Sequence, residues 1–222
     1  MDIKFIPKDQ DVEACVPAPV RAANSIPEWF KKTPISADNE GTSKACPPFV
    51  DAFITGYTQR LWCDVEFCDD GQTVYFDSKY APVTIKKINP KHVPSFEDYV
   101  DVELQWNTHW EPVTPEGYST LYVHPLNQYH LPFMTFSGII DTDVFSLTGP
   151  LRFVLRKGFN GVIKEGTPLY QMIPFKRDKW DHIQYEYDYE TLKDQNNKLH
   201  NYKFKNKHNA YKKLFWQRKE YK

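Results

Sequence analysis

Nowhere does this chain run apolar for the roughly 20 residues that a bilayer-spanning helix needs. Its opening, Met-Asp-Ile-Lys-Phe-Ile-Pro, also lacks the apolar stretch of a secretory signal. No membrane partner is therefore expected. Cysteine is scarce: Cys15, Cys46, Cys63 and Cys68 show no paired spacing. Such usage predicts free thiols in a reducing cytoplasm rather than a disulfide framework. Cys63 and Cys68 have no second matching pair, which excludes a zinc ribbon. Glycine is limited to 9 residues and net charge to -1.

Aromatics are abundant, with 14 Tyr, 15 Phe and 6 Trp in 222 residues. Rings rather than aliphatic side chains should dominate a core of this size. Together with 17 Pro, they favour strands and fixed turns over a helical bundle. The small net charge hides an asymmetry, because residues 191–222 hold ten Lys or Arg against Asp194 and Glu220. An acidic body and a basic tail should attract one another, or the tail should meet an acidic partner.

Three regions follow. Residues 1–60 read as an N-terminal helical and loop segment packed on the core. Here Ser25–Lys32 forms a short helix with Pro27 in its first turn, and a second helix starts at Pro47-Pro48 and ends before Gly56. Residues 61–190 read as a β-rich core. Leu61–Phe67 and Gln72–Phe76 form a hairpin about Asp69-Asp-Gly71, and further strands are predicted at Val83–Ile88, Val100–Trp106, Ser119–Val123, Phe133–Ile140, Leu151–Leu155 and Leu169–Phe175. Tyr185, Tyr187 and Tyr189 recur at strand spacing. Residues 191–222 read as a basic, aromatic C-terminal helix, in which Phe204, His208, Tyr211 and Phe215 form a stripe opposite a lysine face.

Gly138-Ile-Ile-Asp141 followed by Ile163-Lys-Glu-Gly166 and Gln171 resembles the sugar-binding turn and closing strand of the β-clip core in dUTPases and dCTP deaminases. That resemblance spans about 60 residues. A second resemblance covers most of the chain. The Trp29 helix, Cys46-Pro-Pro-Phe49, Thr114–Val123, Gly138–Asp143 and Gly166–Arg177 are similar to an uncharacterised family of phage and bacterial proteins. The resemblances imply an α+β, mainly β fold, with a β-clip-like barrel or double-sheet core, short N-terminal helices and a basic C-terminal helix. They also imply a phage protein of the host cytoplasm or the virion. Where the nucleotide enzymes carry their phosphate-binding motif, this chain reads His124-Pro-Leu-Asn127, and no Gly-rich, Arg-bearing motif ends it.

By that resemblance Asp141 would orient a water and a sugar, and could act as a base. Equally, Gly138 and Asp141 can simply shape a turn. A ligand pocket is expected between Tyr118–Asn127 and Gly138–Asp143, with Tyr118, His124, Asn127 and Asp143 as its polar groups. Asp141 and Asp143 would repel unless a cation, Arg152 or Arg156 stood between them. His109, His124 and His130 with a carboxylate would make an iron site only if they converged, and no metal ligand is assigned. The residues leave the identity of any cofactor open. Lys207, Lys212 and Lys213, interleaved with aromatics, can contact nucleic acid; alternatively the tail docks its aromatic stripe on the body. Three function classes remain: a phage accessory protein whose pocket takes a small, nucleotide-like ligand, with a small molecule or a second copy of the chain as its partner; a virion or assembly protein; and a nucleic-acid-binding module.

Overall fold

A computed structural model describes residues 2–38, 40–86, 95–145, 149–184, 189–205 and 210–222. Among these the chain is mainly β, with sixteen strands, mostly of two to six residues, and five α-helices. The strands form several open sheets, and no closed barrel is present among the described residues. The predicted fold class thus holds at the level of a β-rich protein with added helices.

The largest sheet has five antiparallel strands in the order Gly138–Ile140, Tyr118–Val123, Pro168–Lys176, Tyr57–Arg60 and Val20–Arg21. A second sheet orders Phe133–Thr135, Leu151–Leu155, Glu103–Trp106 and Val83–Lys86. A third holds the hairpin Val65–Cys68 and Thr73–Phe76 beside Gly161–Ile163. The N-terminal strand Lys4–Pro7 pairs with Trp110–Val113.

One apolar cluster joins these sheets, and rings fill its centre as the composition implies. Trp106 stacks on Phe153 with centroids 3.7 Å apart and planes 5° from parallel, while Phe133 meets Trp106 edge-on at 5.0 Å. Burying an indole N–H requires an acceptor. Trp106 Nε1 donates to Thr135 Oγ1 at 3.1 Å, and that hydroxyl donates to the Leu169 carbonyl at 2.7 Å, tying the second sheet to the first.

The N-terminal helices form where proline allows them. Pro27 precedes Glu28–Lys32 as its cap rather than lying inside it, and Pro47-Pro48 opens Pro47–Ile54, where no N–H partner is lost. Phe30, Phe49 and Phe53 pack these helices together, with Phe30 and Phe53 centroids 4.5 Å apart. Gly56 then turns the chain into the five-stranded sheet at φ +73°, and a Cβ there would lie 2.1 Å from the Met172 carbonyl oxygen.

Several boundaries depart from the sequence reading. The predicted Phe133–Ile140 strand is two strands in two sheets, because the chain crosses between them at Phe136-Ser137. β-propensity continues through the crossing and does not mark a change of partner. The hairpin's first strand starts at Val65, since Leu61 pairs outside it with Thr167 and Gly166, and Trp62 turns inward to donate its N–H to the Tyr80 carbonyl at 3.0 Å. Tyr189 opens the helix Tyr189–Lys205 instead of continuing a strand, so the polar stretch after it is helical. A short helix follows at Ala210–Leu214. Ile88, Tyr185, Tyr187, Lys207 and His208 lie outside the described residues. Among those described, no helix is long and apolar enough to cross a membrane.

Candidate functional site

The two aspartates of the Gly138 turn are held by an arginine the sequence reading did not select. Arg177 follows the Pro168–Lys176 strand, whose register sets Lys176 opposite Tyr118 and Phe175 opposite Ser119. From there its Nη1 donates to Asp143 Oδ1 at 2.8 Å, to Ser119 Oγ at 3.0 Å and to the Tyr118 carbonyl at 3.0 Å. Its Nη2 bonds the other Asp143 oxygen, which also accepts the Gly117 N–H at 2.8 Å. Asp141 Oδ1 accepts from Ser119 Oγ at 2.6 Å and lies 3.3 Å from the same guanidinium. Arg152 and Arg156 are engaged elsewhere, the first with Glu103 at 3.0 Å and the second with the Tyr129 carbonyl.

A threonine relay fixes this turn. The buried Thr142 hydroxyl lies 2.8 Å from both the Thr114 and Thr120 hydroxyls, which anchors the residue between the aspartates to the neighbouring strand. Asp143 is consequently almost sealed, its side chain 2% exposed, whereas that of Asp141 is 56% exposed. The Arg177 hydrogen bonds, helped by the Gly117 N–H, hold the Asp143 carboxyl down at about 2. A carboxylate so fully bonded cannot take up a proton near neutral pH. Asp141 keeps one oxygen outside these contacts and is the more exposed of the two.

His124 and Asn127 lie at the opposite end of the Tyr118–Val123 strand. His124 lies five positions after Ser119, a run of about 16 Å in extended chain. The predicted polar set therefore divides into two groups: Tyr118, Asp141 and Asp143 at one end, and His124 and Asn127 at the other. His124 Nδ1 accepts the Thr135 N–H at 3.4 Å, which leaves Nε2 to donate to the Gln128 carbonyl at 3.2 Å. Burial pushes its pKa down. Asn127 takes the left-handed conformation at φ 60° that asparagine tolerates, and its amide reaches the Phe49 carbonyl at 3.4 Å. Buried Gln171 completes this end, accepting the Leu126 N–H at 3.1 Å and donating to the Ala52 and Thr55 carbonyls. This constellation fastens the Pro47–Ile54 helix to the sheet.

Tyr118 opens instead onto a cleft of about 610 Å³. It is lined by Asp2, Ile3 and Tyr57, by Thr114, Pro115, Tyr118 and Pro174, and by Glu220, Tyr221 and Lys222. Those last residues belong to a strap, residues 216–222, that has no regular secondary structure and is bonded to the body. Asp51, in the Pro47–Ile54 helix, anchors it: Asp51 Oδ2 accepts the Trp216 indole N–H at 2.8 Å and pairs with Lys219 at 2.9 Å. Farther along, Tyr57 donates its hydroxyl to the Lys222 carbonyl at 3.1 Å and meets the Tyr221 ring edge-on at 6.0 Å. The tail thus docks through Trp216 and Tyr221. Tyr211 and Phe215, expected in the docking stripe, are 42% and 37% exposed, and Lys212 and Lys213 beside them are exposed. Lys207 lies outside the described residues.

Among the described residues no three His, Cys, Asp or Glu side chains gather as a metal site. His109 packs between Trp62 and Tyr80 with Nε2 against the Ala81 carbonyl. Arg177, Asp51, Tyr57 and Tyr221 were missed by the sequence reading. Two aspartates two residues apart did signal a missing cation, but only the strand register identifies it. No protein-family model matches this chain, and no curated protein matches it.

Proposed function

We propose that this chain is a small-ligand-binding accessory protein of a phage, and that the ligand sits in the cleft between the Thr114–Tyr118 turn and the strap. The observation that carries the reading is the cleft itself: about 610 Å³, lined by proline and tyrosine rings together with carboxylates, a volume in the range of small-molecule sites. Phage origin rests on the resemblance of the Trp29, Cys46-Pro-Pro and Gly138–Asp143 segments. Asp141 stands at the same end of the sheet as the cleft, although it does not line it. Its role is to fix the Tyr118 end of the strand through Ser119.

Thermal unfolding across a panel of cationic, neutral and anionic small molecules, nucleotides included, tests this reading. A ligand at about 100 times its dissociation constant adds about 2.7 kcal/mol. In a chain of this size that raises the midpoint by about 5–10 °C. Loss of the shift in Tyr118→Ala places the ligand in the cleft; a flat response to the whole panel rejects the proposal.

A second reading is favoured by the exposed Tyr211, Lys212, Lys213 and Phe215, since rings interleaved with lysines can stack bases and contact phosphates. If it holds, a single-stranded oligonucleotide binds with a steep salt dependence, and Lys212→Ala with Lys213→Ala flattens that dependence. Binding unchanged in the double variant rejects it.

A further inference from the structure

The chemistry of the cleft selects among ligands. Three tyrosine rings, Tyr57, Tyr118 and Tyr221, and two carboxylates, Asp2 and Glu220, contribute to its lining, and no arginine does. Arg177, the arginine bonded to the Tyr118 carbonyl, is held by Asp143. Ring faces carry negative electrostatic potential and attract ammonium groups within about 6 Å. Carboxylates at the edge of such a site reinforce the attraction and repel phosphate. Two cations oppose them: Lys222 in the lining, and Arg218, which lies 3.5 Å from Glu220; both are exposed, on flexible stems that can swing toward water. The Tyr57 hydroxyl is bonded to the Lys222 carbonyl and its ring meets that of Tyr221 at 84°, so two rings are set before a ligand arrives.

We infer that the cleft binds an organic cation, an alkyl-substituted or primary amine seated against the tyrosine rings with its charge toward Asp2 and Glu220. This inference rests on the ligand-binding reading above and narrows it to one chemical class. The strap contributes half of the recognition, because Glu220 and Tyr221 belong to it. An anionic nucleotide meets two carboxylates and no matching arginine, so it is excluded.

Calorimetric titration of the full chain with tetramethylammonium chloride and with 1,4-diaminobutane, against adenosine monophosphate at matched ionic strength, tests the assignment. Expected are binding of an amine and none of the nucleotide. Tyr118→Ala should weaken the amine by roughly three- to tenfold. Glu220→Gln should weaken it by about two- to fivefold, as for an exposed ion pair. Unchanged near-ultraviolet circular dichroism in both variants shows that the fold is retained. Nucleotide binding with inert amines overturns the cation assignment and leaves the ligand-binding reading standing. Amine binding indifferent to both substitutions lies outside the cleft and also overturns it. If nothing in either this titration or the broader thermal panel binds, both readings fall together.

Discussion

Arg177 grips Asp143 through both guanidinium branches, Nη1 on Oδ1 at 2.8 Å and Nη2 on Oδ2, while leaving Asp141 at 3.3 Å and open to water. The two carboxylates of one turn are thereby made unequal. Asp143 becomes a structural ion that locks the Gly117 turn to the end of the sheet, and Asp141 keeps exposure and one unbonded oxygen. Such division lets a like-charged pair coexist within a few residues without an added cation.

Acid should expose this lock. The Asp143 carboxyl is held at about 2, below its ordinary 3.8, first by the Arg177 hydrogen bonds. A depressed carboxylate contributes stability above the unfolded value, and that contribution disappears as pH falls through the folded one. Its window is therefore about pH 4 down to about pH 2. Carboxyl carbon NMR should show Asp143 titrating near 2 in the native chain and clearly higher in Arg177→Gln. An Asp143 that titrates at its ordinary value in the native chain would show that the grip is absent in solution.

Strap docking should depend on Asp51. Its Oδ2 takes both the Trp216 N–H and the Lys219 ammonium, and hydrogen bonds to a charged group are worth about 1.5–3 kcal/mol each. Asp51→Asn and, from the strap's side, Trp216→Phe should each speed trypsin cleavage after Arg218 and Lys219 by about tenfold or more, because cleavage tracks the undocked population. Equal cleavage rates in all three proteins would mean that these bonds do not hold the strap.

Much of the β framework was legible because local chemistry sets it. The Asp69-Asp-Gly71 hairpin, Leu151–Leu155 and the Pro47-Pro48 helix start carry turn residues, alternation and proline in positions that admit few alternatives. Pairing between distant segments was not legible. Phe133–Ile140 has unbroken strand propensity, yet its halves join different sheets. Lys4–Pro7 pairs with a strand more than a hundred residues away. The same limitation governs the site. Asp141, Asp143 and Tyr118 were visible as polar interruptions of an aromatic run. Arg177 needed the register of Pro168–Lys176, and Asp51 needed the path of the strap, neither of which is written in any local pattern.

The ring stack in the core should be costly to break. Trp106 and Phe153 are fully buried, and the Trp106 N–H is the link to Thr135. Trp106→Ala removes a large aromatic from a packed interior and leaves Thr135 without its donor, a loss of about 3–5 kcal/mol. For this chain length that corresponds to a fall in unfolding midpoint of at least about 6 °C. Trp106→Phe, which keeps most of the ring but not the N–H, should fall between. A variant unfolding within a degree of the native chain would contradict the packing.

Mild acidification should act at the other end of the sheet, through His124. Burial lowers its pKa from 6.5, with the charges of His130 and Arg156 adding to the effect, although the Gln128 carbonyl opposes it. The geometry agrees with the neutral ring, since Nδ1 must keep a lone pair to accept the Thr135 N–H. In the unfolded chain the same group would take a proton readily once pH falls below about 6.5. The stabilisation therefore exists in full above about 6.5 and declines as pH falls toward the lower folded value. His109 and His130 shift in the same direction through burial, so the decline sums over three imidazoles. Urea midpoints measured from pH 8 to pH 5 should drop steadily below about 6.5. In His124→Gln, whose amide has both a donor and an acceptor, the slope should become shallower by the share of one proton. A slope unchanged by that substitution would show that His124 titrates alike in the folded and unfolded states.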